Sequence, residues 1–149
     1  MIARFATLLA AILLTACATA GPKFAGLAAP VPGQGDIYIY RASSAYAIAQ
    51  SFEVTVDGRP AGKLVNASYL HLRLPPGPHT VVVAPGGPAK PMATRIESKA
   101  GTTQFFQWDF EYNLLLGTLG NADFPNAALH PRDRERALAE MQELGAAPK

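Results

Sequence analysis

The chain has 149 residues, with 13 Lys and Arg against 11 Asp and Glu, a formal charge of +2. That balance lacks the clustered basic excess of a nucleic-acid-binding domain, so no nucleic-acid partner is expected. The single cysteine excludes a disulfide knot, and a length near one domain's worth predicts a single globular unit.

The chain opens Met-Ile-Ala-Arg and then runs apolar from Phe5 to Ala16. One basic residue ahead of a short apolar run is the layout of a secretory signal. The run is too short for a spanning helix, which needs about 20 residues. It closes on Leu14-Thr15-Ala16, with Cys17 next: an apolar residue, two small ones, then the cysteine. This resembles the lipobox of bacterial lipoproteins. The resemblance implies a signal peptide over 1–16, lipidation of Cys17, and attachment to a membrane through that lipid. Two or three acyl chains, at about 0.8 kcal/mol per buried methylene, make such anchoring stable. Ala18 stands where an Asp would imply retention in the inner membrane, so the expected address is the outer membrane, periplasmic face.

Residues 17–35 are rich in Gly, Pro and Ala with one charge and show no period. They are predicted to be the lipidated Cys and a flexible tether reaching roughly 20–25 Å. From Asp36 the pattern alternates, predicting strands over 36–112. Ile37 and Ile39 alternate with Tyr38 and Tyr40, and Phe52, Val54 and Val56 with Glu53, Thr55 and Asp57. Asp57-Gly58 carries hairpin chemistry, although Arg59-Pro60-Ala61-Gly62 suggests a longer loop before a short strand near Lys63–Asn66. Leu70, Leu72 and Leu74 alternate with Tyr69, His71 and Arg73 until Pro75-Pro76-Gly77-Pro78 breaks the strand. Val81 and Val83 continue beyond it, Thr94–Ser98 reads as a weaker strand, and Thr102–Tyr112 as the longest. Residues 113–149 are predicted as an apolar connector and a C-terminal helix docked on the sheet. Pro131 suits its first turn, Ala137, Leu138, Met141 and Leu144 form its apolar stripe, and Gly145 ends it.

Taken in order, Ile37-Tyr38-Ile39-Tyr40-Arg41, Val54 to Leu64, and Tyr69-Leu70 through Leu72-Leu74-Pro75-Pro76-Gly77-Pro78-His79-Thr80-Val81 resemble the bacterial lipoprotein family built on domain of unknown function 2846. The related PEGA-type repeat is similar over the same stretch, without its Pro-Glu-Gly-Ala word. The resemblance covers roughly 36–84 and implies a small envelope β-sandwich without an assigned activity. The expected fold is therefore mainly β: an antiparallel, Ig-like or PEGA-like sandwich with a C-terminal α-helix.

Catalytic constellations are thin, and no catalytic residue, cofactor or metal is expected. His71 and His79 flank the Pro-Pro-Gly turn, but two His without Cys fall short of the three or four ligands of a zinc site. Pro85-Gly86-Gly87-Pro88 lacks the Lys-Ser/Thr of a phosphate loop. Asp109 and Glu111 lie two apart on one strand, and a solvated face explains them better than glycoside hydrolysis does. Aromatics remain: Tyr38, Tyr40 and Tyr69 fall opposite the aliphatic faces of their strands, with His71 beside them. These four form the candidate binding surface, for an envelope protein or a cell-wall glycan. Aromatics that simply cover the sheet are the more ordinary outcome. The expected role is a non-enzymatic binding or assembly accessory, with a glycan or peptidoglycan module as the alternative and a hydrolase least favoured.

Overall fold

A computed structural model describes residues 20–45, 47–86, 90–110 and 127–149; the predicted signal, Cys17 and most of 113–130 lie outside these. The described chain is a β-sandwich. One sheet has five strands in the order β8-β7-β1-β4-β9 and the other four, β3-β2-β5-β6. In chain order the strands are β1 (Gly35–Arg41), β2 (Phe52–Val56), β3 (Arg59–Leu64), β4 (Ser68–Leu74), β5 (Gly77–Pro85), β6 (Met92–Ser98), β7 (Thr103–Asp109) and β8 (Ala128–Arg132). A helix, α1 (Arg134–Met141), and a two-residue strand, β9 (Gly145–Ala146), close the chain.

The alternation in the sequence sorts the side chains. Ile37, Ile39, Phe52, Val54, Val81, Val83, Phe106 and Trp108 meet between the sheets. Each fully buried aliphatic among them contributes about 1.5–3 kcal/mol. β1 is buried along all seven residues because a third layer covers its other face. Tyr38, Tyr40 and Phe105 pack there against Ala137, Met141 and Leu144 of the C-terminal segment, with Phe24 and Leu27 from the N-terminal side. β1 is central: it pairs antiparallel with β4 and parallel with β7.

Several local expectations change. Asp57 and Gly58 both take positive φ (50° and 77°), and Val56 pairs directly with Arg59, so the hairpin loop has two residues rather than a longer span. β3 then begins at Arg59, and the surplus residue is absorbed as a bulge opposite Val54/Thr55. Pro60 is tolerated because β3 is an edge strand. Pro75-Pro76 carries the chain from β4 in one sheet to β5 in the other, and β5, at nine residues, is the longest described strand. Pro131 belongs to edge strand β8, opposite Phe106, instead of opening the helix. Asp133 caps α1, its side chain accepting from the Arg136 amide at 2.9 Å. Gly145 does not end the helix; it starts β9 beside β4.

The predicted tether also differs. Its described part, from residue 20 onward, is docked on the sheet. The Gly21 amide donates to the Ala146 carbonyl, Ala146 to Pro22, and Phe24 to Leu144. Phe24 stands edge-on to Tyr38 and Tyr69, with centroids 6.2 and 5.4 Å away. An alternating period is not needed for such a strap, because its backbone bonds go to a neighbouring chain segment.

Candidate functional site

Tyr38, Tyr40, Tyr69 and His71 do share one face of the five-stranded sheet: Tyr38 is paired across the ladder with His71, and Tyr40 with Tyr69. They do not form an open surface. Tyr38 and Tyr40 are 2% and 0% exposed, because α1 and the strap cover them. The Tyr38 hydroxyl accepts from the Ala28 amide at 2.9 Å, and the Tyr40 hydroxyl donates to Glu140 Oε2 at 2.6 Å. Burial, then the Glu140 carboxylate, push the Tyr40 hydroxyl far above its ordinary range, so it serves only as a neutral donor. Tyr69 and His71 are half-buried at the margin of this layer.

His71 leads outward into a charged cluster. Its ring stacks on Tyr38 at 4.5 Å, and its Nε2 donates to Asp36 Oδ1 at 2.6 Å. Arg73 Nε reaches the same oxygen at 3.1 Å, and its Nη2 donates to the Ala29 carbonyl at 2.6 Å. Burial pushes the Asp36 carboxylate up, but the bonds from His71 and Arg73 outweigh it and the net displacement is downward. Asp36 is therefore an anion that ties β1 to β4, and Arg73 ties β4 to the strap.

Beyond this cluster lies an open groove of about 780 Å³ where the turns of β2–β3 and β4–β5 meet the end of β4. Arg59, His71, Arg73, His79 and Lys149 line it, together with Asp57 and an apolar wall that includes Leu72 and Leu74. His79 Nδ1 is 2.7 Å from Asp57 Oδ2, and its Nε2 is 2.9 Å from the Pro75 carbonyl. Both partners are acceptors, so the site favours the form of the ring in which both nitrogens carry a proton. The Asp57 bond and then the Pro75 carbonyl raise the His79 pKa, while His79 and the Thr80 amide hold Asp57 low. His71 and His79 are thus each bound to a carboxylate of their own. Among the described residues no group of three or more His, Cys, Asp or Glu could hold a metal ion.

Asp109 is exposed at the end of β7, where its carboxylate accepts from the Phe110 amide; Glu111 lies outside the described residues, as does Cys17. Sequence reasoning missed Asp36, Asp57, Arg59 and Arg73 as a set. The available signal was the Asp-Gly turn, which puts Asp57 and Arg59 at one end of the sandwich with the Pro-Pro corner. What period-two patterning did not contain was the pairing of β1 with β4 that sets Asp36 opposite Arg73.

One further buried charge stands apart. Arg41, 2% exposed, donates through Nη1 to the Gln50 carbonyl and through Nη2 to that of Ala47, with its guanidinium over Phe52 at 5.1 Å and Phe110 at 5.6 Å. Burial lowers its pKa to about 10. It closes the β1–β2 loop from beneath.

A family model described as Protein of unknown function (DUF2846) matches residues 32–118. The match runs past the residues that carry the resemblance and takes in all of β1 to β7. No curated protein and no solved structure matches the chain. The chain belongs to the DUF2846 family.

Proposed function

We propose that this member of the family is a non-enzymatic binding or assembly accessory of the bacterial envelope. In this reading a lipid on Cys17 anchors it in the outer membrane, with the sandwich facing the periplasm and engaging an envelope protein. The anchoring is supported by Leu14-Thr15-Ala16-Cys17 at the end of the apolar run. The binding role is carried by the groove, where four of the titratable groups in the lining, Asp57, His79, His71 and Arg73, are held in bonds to carboxylates or to each other. Asp57 is bound to His79 and Asp36 to His71 and Arg73. Such a lining offers fixed charge and shape, which suits recognition better than proton transfer. The glycan alternative rested on open tyrosines, and Tyr38 and Tyr40 are covered.

Two experiments test the two halves. Cys17→Ser should abolish acyl labelling and signal cleavage, and a normally processed variant would refute the anchor. In-cell crosslinking of the lipidated protein should return one reproducible envelope protein. Capture of cell-wall fragments alone, or of nothing, would overturn the accessory role.

A further inference from the structure

The groove does not end at the Pro-Pro corner. A second hollow of about 510 Å³ lies along β3, lined by Glu53, Thr55, Gly62 and Lys63, and it shares Pro60, Ala61 and Lys149 with the first. The two form one elongated concave surface flanking an edge strand. Their charges can be paired off. Glu53 meets Lys63 at 3.5 Å, Asp57 meets His79, and Asp36 meets His71 and Arg73. Arg59 and Lys149 are left, both exposed and without an acidic side chain in salt-bridge contact among the described residues. The side-chain excess is positive and comes from separate elements, Arg59 at the start of β3 and Lys149, while Arg73 on β4 is already held by Asp36. An ion such as phosphate is held best by donors that converge on one point. Separated cations along an elongated, partly apolar hollow instead match a ligand with spaced negative charges and apolar side chains between them.

We propose that this surface docks an acidic peptide segment of a protein partner, with Arg59 and Lys149 meeting its carboxylates and the Leu72/Leu74 wall taking an apolar side chain. The inference deepens the accessory reading, because it names what the partner presents. It does not depend on the lipid on Cys17.

The test uses the full chain in non-ionic detergent and a fluorescent peptide alternating Glu and Leu, with anisotropy as the readout. The peptide should bind saturably and weaken as salt rises, as electrostatic encounter requires. Arg59→Glu combined with Lys149→Glu should weaken it about tenfold or more. Arg134→Glu, which makes the same kind of charge change on α1, should leave affinity within about twofold. A peptide that fails to bind, or that loses equally with Arg134→Glu, would overturn the proposal. So would inorganic pyrophosphate binding saturably and displacing the peptide, since that would make the site a phosphate site. If crosslinking captures an envelope protein and Arg59→Glu leaves that capture unchanged, the accessory role stands and this docking surface does not.

Discussion

The covering of the five-stranded sheet by α1 hangs on few polar contacts, and the bond from Tyr40 to Glu140 is the one to remove. In Tyr40→Phe the ring keeps its place, because its surroundings are apolar and it is 0% exposed. Only the hydroxyl and its 2.6 Å bond to Glu140 are lost. A hydrogen bond to a charged group contributes about 1.5–3 kcal/mol. The lower end applies, since Glu140 keeps Arg136 Nε at 2.8 Å and its side chain is 27% exposed, so water can replace the lost donor. The expected destabilisation is about 1.5 kcal/mol, a fall in Tm of roughly 3–6 °C for a domain of this size. Urea unfolding measures it, and Glu140→Gln with the double variant completes a cycle whose coupling should be about 1 kcal/mol. Glu140 is pushed up by burial but brought below its ordinary value by Arg136 and then Tyr40, so the bond is to a carboxylate at neutral pH. A Tyr40→Phe variant within about 0.3 kcal/mol of the parent, or a coupling near zero, would refute α1 as a polar-latched lid on this sheet.

The same geometry yields three further outcomes. A Cβ at Gly145 would lie 2.7 Å from both Ala20 Cβ and the Gly21 carbonyl, so Gly145→Ala should release the strap. Hydrogen exchange should then accelerate at Gly21, Phe24 and Ala146 while β5 stays protected; unchanged protection would mean the strap is held elsewhere. His79 has a raised folded pKa, so its stabilisation is complete below about pH 6.5, the unfolded value, and is lost as pH rises through the folded one. Asp57 has a lowered folded pKa, so its share is present above about 3.8 and is lost as pH falls through the folded value. His79→Gln should therefore flatten the alkaline limb of a stability profile between about pH 5 and 9, and an unaltered slope would count against the imidazolium. Arg41→Lys cannot span the Gln50 and Ala47 carbonyls as the guanidinium does and should cost about 2 kcal/mol. Thermal unfolding would measure that loss, and no change would deny the arginine its loop-closing role.

The inner faces of the sandwich were legible because burial between two sheets imposes a strict period of two. Ile37/Ile39, Phe52/Val54/Val56 and Val81/Val83 all point where their spacing indicates. The strap and β9 were not legible, because a short segment that borrows a neighbour's backbone bonds needs no apolar pattern of its own. Pro131 misled for a related reason: proline fits the first turn of a helix and an edge strand equally well, and only the β7 partner decides. The candidate surface shows the same limit. The alternation correctly grouped Tyr38, Tyr40, Tyr69 and His71 on one face. Whether that face meets water or Met141 depends on a contact across a hundred residues. Asp36 marked only the start of the alternation, and its register against Arg73 is what makes it the anchor of a charged cluster.

Residues 32–118, the span of the family match, contain both partners of every strand pair among β1 to β7, and they contain the groove apart from Lys149. β8, α1, β9 and most of the strap lie outside that span. These outer pieces do one common thing, which is to cover the Tyr38/Tyr40 face and extend the five-stranded sheet at both edges. Without them that sheet would expose a row of aromatic side chains, a surface that favours association. With them in place, an exposed concave surface remains beside β3, at the opposite end of the strand order from β6. The division puts Arg59 and most of the groove inside the family core, with Lys149 supplied from outside it, and leaves the other additions to close an apolar face. Charge changes at Arg59 should therefore alter binding without altering stability, whereas changes at Tyr40 or Gly145 should do the reverse.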